Sequence, residues 1–421
     1  MRDTPALHAD SRRALLLDLY AAGCSAVNGR RTVRAALNAN GHDRALDWSL
    51  LAIGKAAGAM ALGALDVLGA QVKRGLVVSR PGHLDLELGE WPRVRCLTGD
   101  HPLPGAASLA AGSELLRFAA ETPAGAAVLV CVSGGASSLV EVLLEGVTPA
   151  DLRSLGEWAL SCGEPIGVVN YVRSRVSAIK GGRLAAALAH TAARALLISD
   201  VPGDDPAVIG SGLAASAVTA MAPPLPAAIS ALLARAPPAP PGARLPCALV
   251  GTLADALAAV TRVAEARGLS ARVLSPPASG PAAQAASRFA HELVLAPGDL
   301  LVWGGETTVQ LPASVGRGGR NQHFALALAE QIVGHADLVI LAAGTDGSDG
   351  NTEDAGAIVD GQTVARGASS GLEVDAALAG ANAAPYLAAA GDLLHTGPTG
   401  TNVGDLVIGL RRAADSALEE N

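Results

Sequence analysis

The stretch VLVCVSGGASSLVE, residues 128–141, decides the reading of the fold. An apolar run rich in valine reads as a buried strand. It ends in Ser133, Gly134 and Gly135, and the residues that follow are helix-like. Strand, small-residue loop and helix, in that order, offer free backbone N–H groups to an anion. Working outward, short apolar segments alternate with Ala-rich helical ones along nearly the whole chain. Strands are expected at 50–54, 75–79, 93–97, 126–133 and 195–199, then at 247–251, 271–274, 299–303, 337–343 and 405–410. Segments such as 56–68 and 253–267 have the length and Ala/Leu content of helices. That alternation predicts an α/β fold of βαβ units with a largely parallel sheet, whose ligands sit in loops beyond the carboxyl ends of the strands.

At 421 residues the chain is too long for one ordinary core, so two domains are expected. The clearest break is RAPPAPPGARLP, 235–246, because proline neither continues a helix nor donates to a sheet ladder. It suggests a domain at 1–235, a solvent-exposed Pro-rich connection at 236–246 and a second domain at 247–421. Aromatic residues are only 2% of a chain that is half apolar, so the cores must be built from Ala, Leu, Val and Ile. A formal charge of −8 argues against a nucleic-acid partner, whose footprint would be basic. Cys24, Cys96, Cys131, Cys162 and Cys247 are odd in number and contain no CxxC pair, which argues against zinc ribbons and a disulfide framework. The N-terminus lacks the basic-then-apolar order of a secretory signal, and no window approaches about 18 uninterrupted apolar residues. A soluble, cytoplasmic protein with no membrane partner is expected; a second copy of the chain is left open as a partner. Only three lysines, Lys55, Lys73 and Lys180, stand among 31 basic residues, and two of them fall in motif-like stretches.

The familiar nucleotide loops fail. No GxxxxGK[ST] occurs, and the Rossmann-like Gly210-x-Gly212-x-x-Ala215 has neither a preceding strand nor the ribose-binding acid about 20 residues on. What remains is a set of polar loops, each placed after an expected strand. AIGKAAGAMA puts Lys55 at a strand-to-helix junction, where an ammonium can meet a phosphate. ISDVPGDDP gathers Asp200, Asp204 and Asp205 around a turn. WGGETTV follows a strand, and GRGGRNQHFALALAE opens a helix with Arg317, Arg320 and Asn321. AAGTDGSDGNTEDAGA carries Asp346 and Asp349 but fails the calcium-loop template, and TGPTGTNVGD supplies uncharged donors. Together they describe a large anion site with acids beside it, which suits phosphoryl transfer. No Ser-His-Asp arrangement or HExxH is visible among nine dispersed histidines.

With those residues laid out, the chain resembles the type II glycerate kinases, the glycerate 2-kinases whose C-terminal half is the MOFRL domain. The resemblance covers about 50–410 and rests on GKAAGAMA, TGDHPLPGAAS, VSGGASSLVE, NYVRSRVSAIKGGRLA, SDVPGDDPAVIGSG, GGETTV, GRGGRNQ, GTDGSDGNTEDAGA and TGPTGTNVGDL. It implies a Rossmann-like parallel-sheet N-terminal domain, a smaller MOFRL-type α/β domain and an active site in the cleft between them. It further implies transfer of phosphate from ATP, with Mg²⁺ as nucleotide partner, to the 2-hydroxyl of D-glycerate, giving 2-phosphoglycerate. Matched motif by motif, Lys55, Asp200 and Arg320 become the expected catalytic residues. Ser133, Gly134, Gly135, Ser137, Gly304, Glu306, Gly318, Gly319, Thr399 and Asn402 become nucleotide or phosphate contacts, and Asp204, Asn321, Asp346 and Asp349 substrate or metal candidates, with the metal ligands themselves unknown. Lys180 lies in a matched segment without an assigned role. The chain departs from the family pattern at Ala136, at Leu213-Ala214 and at Gly105. Two other readings stay open: a hydroxypyruvate reductase, and a non-catalytic metabolite-binding relative.

Overall fold

The computed structural model describes residues 5–40, 45–161, 164, 166–216, 224–295, 298–312 and 314–411. Their contacts divide the chain into two compact units, and neither is one continuous segment. One consists of Val27–Thr252 with Gly400–Val403; the other draws on Met1–Ala26, Leu253–Thr399 and Gly404–Asn421.

The first unit is built on six strands: β1 (Trp48–Ile53), β2 (Val72–Ser79), β3 (Val94–Thr98), β4 (Ala127–Val132), β5 (Ala192–Ile198) and β6 (Cys247–Gly251). They pair in the order β3-β2-β1-β4-β5-β6, and every pairing is parallel. All six positions of β1 and of β4 are buried, as expected where crossover helices cover both faces. The helix Ala57–Leu68 returns β1 to β2, and Ala106–Glu121 returns β3 to β4. The direction of winding reverses between β1 and β4, which lie side by side with Ile53 opposite Val132. In open α/β sheets that reversal leaves a crevice beyond the strand ends.

The second unit also holds a six-stranded sheet: β7 (Ala271–Val273), β8 (Leu300–Gly305), β9 (Leu338–Gly344), β10 (Gly356–Asp360), β11 (Leu393–Leu394) and β12 (Asp405–Arg411), ordered β11-β10-β9-β12-β8-β7. Here the expectation of parallel strands fails. Only β7 and β8 run parallel; the other four pairings are antiparallel. Its core is mostly alanine and leucine, and within it Phe289 is stacked on Trp303 at 6.0 Å and edge-on to Phe324 at 6.2 Å. The N-terminal helix Pro5–Ala26 belongs to this unit. Leu15, Leu16, Leu19 and Tyr20 are buried, and Arg13 bonds Asp360 at 2.7 Å and Asp392 at 2.6 Å.

The expected division at 236–246 differs from this one. Cys247–Gly251 completes the first sheet against β5, and the Pro-rich segment is tied into the same unit: Ala243 N–H donates to Gly182 O and Leu245 N–H to Ala214 O. Cys24, Cys96, Cys131 and Cys247 are free thiols, and Cys162 lies outside the described residues. Among the described residues no helix is long and apolar enough to cross a membrane.

Candidate active site

In the parallel-sheet unit the expected residues cluster at the carboxyl ends of the three adjoining strands β1, β4 and β5. Lys55 follows β1, the glycine pair follows β4 and Asp200 follows β5. The loops are stitched together by backbone bonds: Ser133 N–H to Ile53 O at 3.0 Å, and Lys55 N–H to Gly134 O at 2.9 Å. Ser133 is fully buried and its hydroxyl accepts the Ala56 N–H at 3.0 Å. That bond shapes the loop and engages the Ser133 hydroxyl within it. Gly134 is required by close approach, because a Cβ there would lie 2.0 Å from Asp200 Oδ2 and 2.1 Å from Asn402 Nδ2. Gly135 is required by its left-handed φ of 81°, and the Lys55 side chain lies across it with Cγ 3.1 Å from where a Cβ would stand. Asn402 donates to Asp200 Oδ2 at 3.1 Å and so orients that carboxylate. Lys55, Gly135, Ser137 and Asp200 keep partial exposure on an otherwise buried floor.

The turn after β4 is short, with a helix of only four residues, Ala136–Leu139. Ala136 is fully buried and has no left-handed φ, so its departure from the family pattern costs no backbone strain. The Gly105 departure is compensated. Asp100 accepts the Ala107 and Ser108 N–H groups at 2.9 and 3.2 Å and caps the helix Ala106–Glu121 itself. His101, next to that cap, comes within 3.5 Å of the position of a Gly135 Cβ. Asp204 is partly exposed with a left-handed φ of 54°, and Leu213 is fully buried. Lys180 is no ligand contact. Its ammonium and the Glu141 carboxylate are both 1% exposed and form an ion pair, and Glu141 also accepts from Ser177 Oγ at 2.5 Å and Val142 N–H at 3.0 Å. Burial lowers the Lys180 pKa, which the Glu141 charge opposes.

The mixed-sheet unit gathers a second set where β8 and β9 end and β12 begins. Asp405 is opposite both Gly305 and Gly344. It takes the Arg320 guanidinium in a two-point fork, Nε to Oδ2 at 2.6 Å and Nη2 to Oδ1 at 3.0 Å, while Arg320 Nη1 bonds Glu306. Burial lowers the Arg320 pKa, but the Asp405 and Glu306 charges outweigh it and hold the group well above its ordinary value. Asn321 Nδ2 joins through Asp405 Oδ1 at 2.9 Å. Asp349 caps the helix Arg320–Gln331, accepting Asn321 N–H at 3.2 Å and Gln322 N–H at 2.8 Å. Burial pushes its carboxyl up to about 7, opposed by those N–H groups and assisted by the Asp405 charge. Asp346 is buried and accepts Ser348 N–H at 2.9 Å.

Three phosphate contacts expected here are otherwise engaged. Gly304 lies within β8, where a Cβ would strike Leu253 at 2.6 Å, so it is a packing glycine. Gly318 N–H donates to Asn351 Oδ1 at 2.9 Å, and Thr399 Oγ1 donates to Thr345 O. Gly319 would meet Asp349 Cγ at 2.3 Å and allows the cap to close. Two residues escaped the sequence reading. Asp405 looked like the first residue of a strand, and His101 like one more dispersed histidine, although both lie in quoted motifs.

An ammonium and a glycine pair at the sheet's switch point suit a nucleotide's phosphates. The donors do not fit a resident magnesium ion. Among the described residues no three of His, Cys, Asp and Glu are placed to hold a metal, and both oxygens of Asp405 and of Asp349 already accept hydrogen bonds.

Comparison with known proteins gives two family matches, a domain of unknown function (DUF4147) over residues 15–234 and the MOFRL family over 299–405. The D-glycerate 2-kinase of Thermotoga maritima is 31% identical over 95% of this chain and 99% of its own length. A protein of Agrobacterium vitis named "Putative hydroxypyruvate reductase" is 35% identical over 85% of this chain and 97% of its own. A crystal structure of glycerate kinase from Thermotoga maritima superposes with a TM-score of 0.79 at 30% identity, covering 96% of this chain and 100% of the other.

Proposed function

Since this chain belongs to the MOFRL-type glycerate kinase family, we propose that it transfers the γ-phosphoryl group of ATP to the 2-hydroxyl of D-glycerate, forming 2-phosphoglycerate and ADP. The observation that carries this reading is the convergence of Lys55, Gly135 and Asp200 beyond adjoining strands β1, β4 and β5. Phosphoryl transfer asks a protein mainly for placement and for positive charge near the equatorial oxygens. Lys55 supplies that charge as a compact ammonium over a glycine that lets a phosphate approach the backbone. Asp200, oriented by Asn402, accepts or orients the proton of the attacking hydroxyl. In the mixed-sheet unit Arg320 offers a cation of its own: Asp405 keeps its fork fixed, and the half-exposed Glu306 is the partner that an anion's oxygen displaces. Magnesium, in this reading, enters with the nucleotide.

The reductase reading gains nothing from the fold. Gly210–Ala215 follows no strand and lies in a tight turn, so no βαβ dinucleotide cradle forms around it. The deciding experiment is a coupled ADP assay with D-glycerate, ATP and Mg²⁺, with the product's phosphate position read by NMR. ADP together with 2-phosphoglycerate is the expected result. Absence of ADP, or a 3-phosphoglycerate product, overturns the assignment.

A further inference from the structure

Two residues beyond Gly135 begins a chain of three polar side chains, of which Ser137 alone carries an expectation, that of a phosphate contact. Ser137 Oγ is 2.6 Å from Ser211 Oγ, and Ser211 Oγ donates to Asn170 Oδ1 at 2.8 Å. Asn170 Nδ2 donates to Val208 O at 3.3 Å, which fixes the amide with its oxygen toward Ser211. The direction of the whole chain follows. A serine hydroxyl has one proton, and that of Ser211 is spent on Asn170. Ser137 must therefore donate to Ser211, and what Ser137 turns outward is lone pairs only.

The backbone shows how firmly this polarity is set. Ser211 is 3% exposed and holds a left-handed φ of 56°, between Gly210 at 59° and Gly212 at 74°. Its carbonyl and that of Gly212 accept the Gly181 and Gly182 N–H groups at 3.0 and 2.6 Å. A non-glycine residue in that conformation is strained and persists only where its surroundings impose it. Ser137, by contrast, is half-buried and stands two residues beyond Gly135.

We infer that Asn170, Ser211 and Ser137 form a polarised hydrogen-bond chain whose outer oxygen reads the O–H of the acceptor's second hydroxyl, the one that Asp200 does not engage. The ligand class is a small dihydroxy acid, and a 2-hydroxy acid of the same size with an aldehyde in place of that second hydroxyl is rejected because its carbonyl would set lone pair against lone pair. The inference rests on the kinase reading for the identity of the substrate, but not for the direction of the chain.

The test is calorimetric binding of D-glycerate and of 2-hydroxy-3-oxopropanoate to the full-length protein, which separates recognition from turnover. Wild type should favour D-glycerate. In Ser137→Ala and in Ser211→Gly the ratio of the two affinities should shrink by roughly tenfold, the scale of one net hydrogen bond. Ser211→Gly keeps the left-handed backbone and so keeps the fold. Asn170→Asp, which retains the accepting oxygen, should preserve the preference. An unchanged ratio in both serine variants, or no wild-type preference, overturns the inference whatever the ADP assay shows. A preference that collapses as described in a protein forming no ADP leaves this inference standing and removes the kinase reading.

Discussion

Lys55 lays its aliphatic stem along Gly135, so any larger residue at either position disturbs both the loop and the charge. Lys55→Ala should lower kcat by a factor of about 10² or more, and Arg320→Ala similarly, because each removes a cation to which the proposed function gives an anion-binding role. Steady-state kinetics on both variants checks this; wild-type rates would withdraw those roles. Asp349 gives a prediction of another kind. Its carboxyl titrates near 3.8 when unfolded and at about 7 when folded, so the folded state holds the proton more tightly. Its contribution to stability is complete below the lower value and is lost as the pH rises toward the higher one. The slope is about 1.4 kcal/mol per pH unit in between. Asp349→Asn should flatten that part of the profile in denaturant titrations run from pH 4 to 7. An identical slope in the variant would locate the pH dependence elsewhere.

Individual strands and helices were largely readable. All ten segments expected as strands are strands, because a buried strand in this chain is an uninterrupted apolar run and the loops between are rich in glycine. β10 and β11 escaped because one is short and follows an Asp-Gly-rich loop and the other has two residues. Strand direction escaped as well, since β9 reaches β10 through the loop 345–355 with no crossover helix and an apolar run carries no sign of its orientation. Of the site, the residues on loops after strands were legible, while Asp405 and the Ser211–Asn170 link were not, because partners 85 and 41 positions apart meet only in the fold. The buried Glu141–Lys180 pair ties the turn after β4 to the segment before the helix Arg183–Ala187. Lys180→Met should cost about 3–5 kcal/mol by stranding Glu141, and adding Glu141→Leu should recover much of it. Urea midpoints of the single and double variants decide the matter. A double variant no better than the single would mean that the pair is irreplaceable.

Across the whole chain, neither unit is a contiguous stretch of sequence. The helix Pro5–Ala26 buries Leu16 and Leu19 completely in the mixed-sheet unit and clamps Asp360 and Asp392 through Arg13. Removing residues 1–26 should therefore lower the melting temperature of that unit, as scanning calorimetry would detect; an unchanged transition would show the helix to be dispensable. The short return of Gly400–Val403 to the parallel-sheet unit has a consequence for synthesis. Asp200 emerges from the ribosome 202 residues before Asn402, whose amide orients it. At typical elongation rates of about 5–20 residues per second, the nascent protein spends on the order of ten seconds or more with its parallel sheet complete and its acid unseated. Seating of that acid thus waits on the return of Gly400–Val403, however early the first core condenses.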